Sequence, residues 1–233
     1  MAKIVLLNNR SMAMERLISL RRRLANNQTL YQQYQDAVSL LRQSGIVRLV
    51  RPDEVNRPIG RVWYLPHHPV YHASNPGKVR IVFDASAKYD GVSLNDYLLK
   101  GPDLTSDITA LQIRFQCIPV AVTSDVANMF RQVEVAEHDR SVLRFLWADS
   151  LKDSTMTYEF TRQVCGLTSA PSSCIYALLH CIHEFLPPEV ASRLSRQFYA
   201  DNYLDSFSTI HDAIYYCDAL KRATLKGGFP LVK

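Results

Sequence analysis

No apolar run in this chain reaches the ~18–20 residues that a membrane-spanning helix requires. Met1 to Asn9 is too short and too weakly apolar for a secretory signal. Cys117, Cys165, Cys174, Cys181 and Cys217 form an odd set without paired short spacings. That pattern argues against a disulfide-stapled secreted domain and fits reduced, mostly buried thiols in an intracellular protein. His180, Cys181 and His183 lie close to Cys174, but their spacing fits no standard zinc site and the segment reads as helical. His67, His68 and His72 read as loop and hairpin residues. There is no internal repeat, no low-complexity tract and no Asp-Thr/Ser-Gly motif of an aspartic protease.

What is present is a chain of 233 residues with a net charge of +5 and a pI near 9.0, a balance that favours a polyanionic partner. Met14, Leu17, Leu20 and Leu24 recur at helical spacing beside Arg21, Arg22 and Arg23, which either touch phosphates or form a solvated helix face. A second helix begins after Asn27, carries Leu30, Tyr31, Tyr34, Val38 and Leu41 on one face, and ends at Gly45. From Ile46 the texture changes to short β-rich runs: Ile46 to Val50, Arg61 to Leu65, and Lys78 to Phe83 after a turn at Asn75-Pro76-Gly77. From Leu111 strands and helices alternate, an α+β pattern.

Four segments carry candidate chemistry. In Lys78 to Asp84 alternation sets Val79, Ile81 and Phe83 on one face and Arg80 on the other. A mid-strand guanidinium suits a triphosphate, or else a surface ion pair. Asp125 closes the apolar run Ile118 to Thr123, where a carboxylate is costly unless paired, metal-bound or capping a following helix. Phe130 stands five residues on, by default a core aromatic. Cys165 to Ser172 is a loop of small residues opening a helix at about Ser172, open to close approach by a base pair or phosphate and equally to a plain turn. The run Phe198-Tyr199-Ala200-Asp201-Asn202-Tyr203-Leu204-Asp205 reads as a hairpin with an acidic tip and no glycine, where ordinary tips prefer Asn-Gly or Asp-Gly. Two carboxylates on neighbouring strands are what two magnesium ions need to drive in-line phosphoryl transfer.

The order of these pieces is that of the fingers and palm in reverse transcriptases. Ala121 to Phe130 and Tyr199 to Asn202 resemble their motifs A and C. The strings YLPHHPVYHASNPGKVRIVFDASAKYDGVSLNDYLLKGPDL, AVTSDVANMFRQVEV, LRFLW and GLTSAPSSCIYAL resemble the reverse transcriptase of BEL/Pao-type long-terminal-repeat retrotransposons. The resemblance runs from about Ile46 to Lys233. It implies a right-hand palm, an antiparallel sheet backed by helices, with β-rich fingers over residues 46–233 and a helical lead-in over residues 1–45. The thumb is expected to be absent.

The resemblance also implies roles. Asp125 and Asp201 would bind two Mg²⁺ (or Mn²⁺) ions, with the Val126 carbonyl beside them. Phe130 would exclude the ribose 2′-hydroxyl, and Arg80 with Lys78 would contact the incoming triphosphate. Gly166 to Pro171 would line the nascent base pair, and Tyr199 would pack under the primer end. Lys233 would protonate leaving pyrophosphate. The implied partners are an RNA or DNA template with primer and deoxynucleoside triphosphates, in a cytoplasmic retrotransposon particle or the nucleus. Asn202 stands where most of the family has Asp and removes one negative charge. Strand parity admits only one of Asp201 and Asn202 to the face of Asp125, and the family match selects Asp201. Asp205 lies ~13 Å along the strand, too far to compensate. The rival expectation is a retroelement remnant that only binds nucleic acid or serves as an interaction module. The oligomeric state is left open.

Overall fold

The structure, a computed structural model, describes residues 5–56, 58, 60–72, 75–150 and 153–232, with backbone alone for residues 72 and 75–78. In chain order the elements are helices α1 (Arg10–Ala25) and α2 (Gln28–Gln43), strands β1 (Val47–Leu49), β2 (His67–His72) and β3 (Asn75–Phe83), and helices α3 (Leu94–Tyr97) and α4 (Ile108–Gln116). Strand β4 (Val120–Val126), helix α5 (Met129–Gln132), and strands β5 (Arg144–Trp147) and β6 (Met156–Phe160) follow. The chain continues through helices α6 (Ala170–Phe185) and α7 (Pro188–Leu194), strands β7 (Phe198–Tyr199) and β8 (Asn202–Phe207), helix α8 (Ile210–Lys226) and strand β9 (Leu231–Val232). It is an α+β fold of antiparallel sheets and helices, divided into two compact units.

The first unit runs through Leu99 and takes in Glu134–Thr168. Its two lead helices form where the periodicity predicts. Ala13, Leu17, Leu20 and Leu24 are buried on α1, and Leu30, Tyr34, Val38 and Leu41 on α2. The Asn27 side chain accepts a hydrogen bond from the Leu30 N–H at 2.9 Å, capping α2, and Gly45 leaves the helix at φ +68°. The three-stranded sheet has the order β1-β6-β5, and its face packs an aromatic cluster of Phe83, Phe145 and Phe160, with ring centroids 4.7–5.4 Å apart. Arg144 and Glu159, each 2% exposed, pair across β5 and β6, and Arg144 also donates to the Val55 and Glu54 carbonyls at 2.7 and 3.0 Å.

Two expectations in this unit are corrected. Arg61 to Leu65 is extended but joins no sheet, making only a bridge from Tyr64 to Arg144. On the edge toward β5 the Leu65 N–H bonds the Arg144 carbonyl at 2.7 Å and the Arg144 N–H bonds the Trp63 carbonyl at 3.1 Å. On the other edge Asn9 Nδ2 donates to the Tyr64 carbonyl at 2.8 Å and Asn9 Oδ1 accepts from the Tyr64 N–H at 2.7 Å, so a side chain stands where a further strand would bond. Asn75, Pro76 and Gly77 are strand residues of β3 rather than a turn. The ladder jumps from Tyr71↔Val79 to His72↔Asn75, and this irregularity takes up the proline, which has no N–H to give a ladder.

The second unit comprises Lys100–Val133 and Ser169 onward. Its sheet has the order β7-β8-β4-β9. Register pairs Val122 with Asp205 and Ser124 with Tyr203, so these residues share one face; Thr123 with Leu204 and Asp125 with Asn202 share the other. The first face turns inward: Tyr203 and Phe198 join Val126, Leu178, Ile182, Leu194, Leu220 and Phe229 in a core built with α6, α7 and α8. On the second face Thr123 and Asn202 are exposed. The apolar run Ile118 to Thr123 thus leads into β4, which has a neighbour on each side in its sheet but is buried on one face only. Gly227 ends α8 where a Cβ would fall 2.0 Å from Cys181 Sγ, so the close approach of this chain reversal to α6 requires glycine.

Candidate active site

The β7–β8 hairpin has a two-residue tip, Ala200-Asp201, closed by the pair Tyr199↔Asn202. A two-residue loop whose twist matches its strands needs a positive φ at its first position, usually supplied by glycine. Ala200 takes that place with φ +52°, a conformation costing an L-residue about 1 kcal/mol. The tip is strained, and it carries the acidic residue.

Across the hairpin runs β4. Asp125 is the register partner of Asn202, and the Val126 N–H donates to the Asp201 carbonyl at 2.8 Å. Asp201, in the turn, is therefore brought beside β4, one residue beyond the ladder pair Asp125↔Asn202. Strand parity does not govern Asp201, because it is a turn residue; the residue directly opposite Asp125 on the same face is Asn202. Both aspartates are partly exposed. Asn202 Nδ2 donates to Asp201 Oδ1 at 3.1 Å, so the neighbouring amide orients the Asp201 carboxylate.

After β4 the chain turns sharply. Asn128 is left-handed at φ +49°, and α5 begins at Met129, so Asp125 is not the cap of a helix. Gln132 Nε2 donates to the Ala127 carbonyl at 2.8 Å and closes this turn. Phe130, on α5, is half-buried against the core of the unit. Pro171 sits in the first turn of α6, which opens at Ala170, two residues before the expected start. Tyr199 is 39% exposed at the end of β7. The second unit thus holds Asp125, Val126, Phe130, Pro171, Tyr199, Asp201 and Asn202.

Arg80, Lys78 and Gly166 belong to the first unit. Arg80 lies on β3 opposite Val70, exposed, while Val79 and Phe83 are buried, as the alternation predicts. The Lys78 side chain and all of Lys233 lie outside the described residues. Gly166 has φ +103°, and a Cβ there would lie 3.6 Å from the Phe83 carbonyl oxygen. Its loop is held by a residue that sequence reasoning missed: Asn95 Nδ2 donates to the Gly166 carbonyl at 3.0 Å and Asn95 Oδ1 accepts from the Thr168 N–H at 2.9 Å. The available signal was Ser93-Leu94-Asn95-Asp96, a capping box that starts α3 and fixes Asn95 on it.

A second missed group lies at the hairpin base. Asp205, 3% exposed, accepts from Arg193 Nη1 and Nη2 at 2.8 and 3.2 Å, Gln197 Nε2 at 3.1 Å, the Tyr203 hydroxyl at 2.7 Å and the Ser206 N–H at 2.8 Å. Burial, with the Asp205 carboxylate beside it, pushes the Tyr203 phenol far above its usual range and keeps it a donor. No cluster of three or more His, Cys, Asp or Glu side chains is gathered among the described residues. The donor set at the tip is two carboxylates with a backbone carbonyl nearby, hard oxygen ligands that fit Mg²⁺ or Mn²⁺.

No family model matches the chain, and no curated protein matches it. Solved structures do. The foamy viral protease-reverse transcriptase in complex with dsDNA is similar with a TM-score of 0.63 at 15% identity, over 86% of this chain and 36% of that one. The same kind of protein in complex with an RNA/DNA hybrid gives 0.61 at 13% identity, over 83% and 22%. The native crystal structure of the prototype foamy virus protein gives 0.57 at 15% identity, over 83% and 22%. The chain spans between about a fifth and just over a third of these proteins. At such identities the likeness carries the fold alone, which resembles that of these reverse transcriptases.

Proposed function

We propose that this chain is an RNA-directed DNA polymerase domain, of the BEL/Pao retrotransposon type that its sequence resembles. The observation that supports the reading is Asp125 near the end of β4 and Asp201 at the strained tip of the neighbouring β7–β8 hairpin, tied to β4 by the Val126 N–H, which donates to the Asp201 carbonyl at 2.8 Å. Asp125 and Asp201, with the Val126 carbonyl, would hold the divalent ions; when bound, such ions neutralise the charge that develops on a transferring phosphoryl group. The reaction joins a primer 3′-oxygen to the α-phosphorus of a deoxynucleoside triphosphate and breaks that phosphorus–oxygen bond to pyrophosphate. The chain's own contribution is positioning. Phe130, fixed five residues after Asp125 by the left-handed Asn128, is the residue proposed to discriminate deoxyribose. Tyr199, at the end of β7, is proposed to support the primer terminus. The roles given to Arg80, Lys78, Gly166, Pro171 and Lys233 belong to the same proposal and rest on the resemblance.

The basic balance of the chain supports a nucleic-acid partner, as do solved relatives of the fold in complex with dsDNA and with an RNA/DNA hybrid. A second reading, a silent domain that keeps only nucleic-acid binding, is favoured by one observation: Asn202 leaves two carboxylates at the tip. Deoxynucleotide incorporation on a primed RNA template across a magnesium titration separates them. Magnesium-dependent incorporation that disappears in both Asp125→Asn and Asp201→Asn supports the polymerase. Equal incorporation in all three proteins removes the assignment of the site, and none in any, with salt-sensitive binding retained, favours the second reading.

A further inference from the structure

The strained tip has no stabilising glycine, and the hairpin pair that closes it is Tyr199↔Asn202. Strain of this kind persists only where the surroundings over-determine the backbone. The tip itself is tied to β4 by the Val126 N–H, which donates to the Asp201 carbonyl at 2.8 Å, and the hairpin is held a second time at its other end. Gln197 immediately precedes β7; Tyr203, Asp205 and Ser206 belong to β8; Arg193 belongs to α7. All four partners converge on the one carboxylate of Asp205, which closes a loop from the residue before the first strand, through the second strand, to the helix that leads into the hairpin. Arg193 is itself fixed: its guanidinium carbon lies 4.6 Å from the centroids of both Phe207, in β8, and Tyr216, in α8. Gln197 is in turn bonded by Arg114 Nε of α4 at 3.5 Å.

We propose that Asp205 and Arg193 are positioning residues for the metal site: they hold the base of the β7–β8 hairpin so that its tip presents Asp201 beside Asp125. This rests on the proposed reading of Asp125 and Asp201 as divalent-ion ligands. Asp205 cannot itself be a ligand there. It pairs with Val122 on the face opposite Asn202, and its oxygens are taken up by five donors. A bidentate fork is demanding geometry, so lysine at position 193 keeps the charge but loses one of its two parallel bonds. Losing Asp205 or the fork frees the base, and the tip relaxes away from its strained presentation.

The test is Mn²⁺ binding by calorimetry to the parent chain and to Asp205→Asn, Arg193→Lys, Tyr203→Phe and Asp201→Asn, each with its thermal unfolding midpoint. A purely structural role lowers the midpoint and leaves the Mn²⁺ affinity of the folded protein unchanged. A positioning role weakens Mn²⁺ binding by roughly 10-fold in folded Asp205→Asn and Arg193→Lys, the scale seen when groups that orient metal ligands are removed. Tyr203→Phe, which deletes one of five donors, shows a smaller loss. Parent-like Mn²⁺ affinity in folded Asp205→Asn and Arg193→Lys overturns the proposal. Should those two not fold, Tyr203→Phe decides by the same criterion. A parent that binds no Mn²⁺ at all overturns the reading of the site itself, and this inference with it.

Discussion

The tip and the base of the β7–β8 hairpin each carry an aspartate, four residues apart, and their surroundings are opposite. Asp205 is buried and accepts five hydrogen bonds, two of them from a guanidinium that packs over two aromatic rings. Asp201 is partly exposed on a strained turn, and its carboxylate accepts from the neutral amide of Asn202. A carboxylate whose lone pairs are already used can only be structural. One with lone pairs to spare, at a turn beside a strand that carries another aspartate, is suited to a cation. The same side-chain chemistry thus yields a clamp at one end of the hairpin and a candidate ligand at the other.

The largest expected effect comes from emptying the clamp. Asp205→Ala leaves Arg193 without its counter-charge and Tyr203 and Gln197 without an acceptor, at a cost of about 3 kcal/mol. Chemical denaturation should show it as a lower midpoint, whereas Asp201→Ala should move the midpoint little. A reversed order would break the comparison.

The first unit offers a second saturated group, His67, and an effect of similar size that depends on pH. Its Nε2 bonds the Leu146 carbonyl and its Nδ1 bonds the Tyr34 hydroxyl, so both nitrogens are committed to the neutral ring. Burial holds the imidazole down at about 4, from an ordinary 6.5. The folded value lies below the unfolded one, so the stabilisation is present above pH 6.5 and is lost as pH falls toward 4. The loss is on the order of 3 kcal/mol. Unfolding followed from pH 7 to pH 4 should show this decline, and His67→Gln should flatten it.

Gly227 tests packing alone, since its φ is ordinary. Gly227→Ala sets a Cβ against Cys181 Sγ and should cost about 1–3 kcal/mol, and Cys181→Ala in the same chain should recover part of it. The smallest effect is at the tip. Ala200→Gly removes the left-handed penalty and should raise stability by up to about 1 kcal/mol. If the strain serves presentation of Asp201, the same change weakens Mn²⁺ binding while stabilising the fold.

Much of this was legible in the sequence where the pattern is local. The apolar spacing of α1 and α2, the alternation around Arg80 and the acidic hairpin between apolar strands all form as read. What was not legible depends on distant partners. Arg61 to Leu65 reads as a strand, but its backbone groups at Tyr64 are taken by Asn9, 55 residues away. Asp205 was measured only by its distance along the strand from the tip. Its meaning comes from Arg193 on a preceding helix, which periodicity does not reveal. Parity admitted only one of Asp201 and Asn202 to the face of Asp125 and the resemblance selected Asp201, but parity applies to strand residues and Asp201 is a turn residue; the register partner of Asp125 is Asn202.

The most direct measurement of the central claim is anomalous scattering from crystals of the chain grown with Mn²⁺. The account predicts manganese bound between the carboxylates of Asp125 and Asp201, and no manganese at Asp205. Manganese absent from the Asp125–Asp201 pair, or bound elsewhere while that pair stays empty, would contradict it.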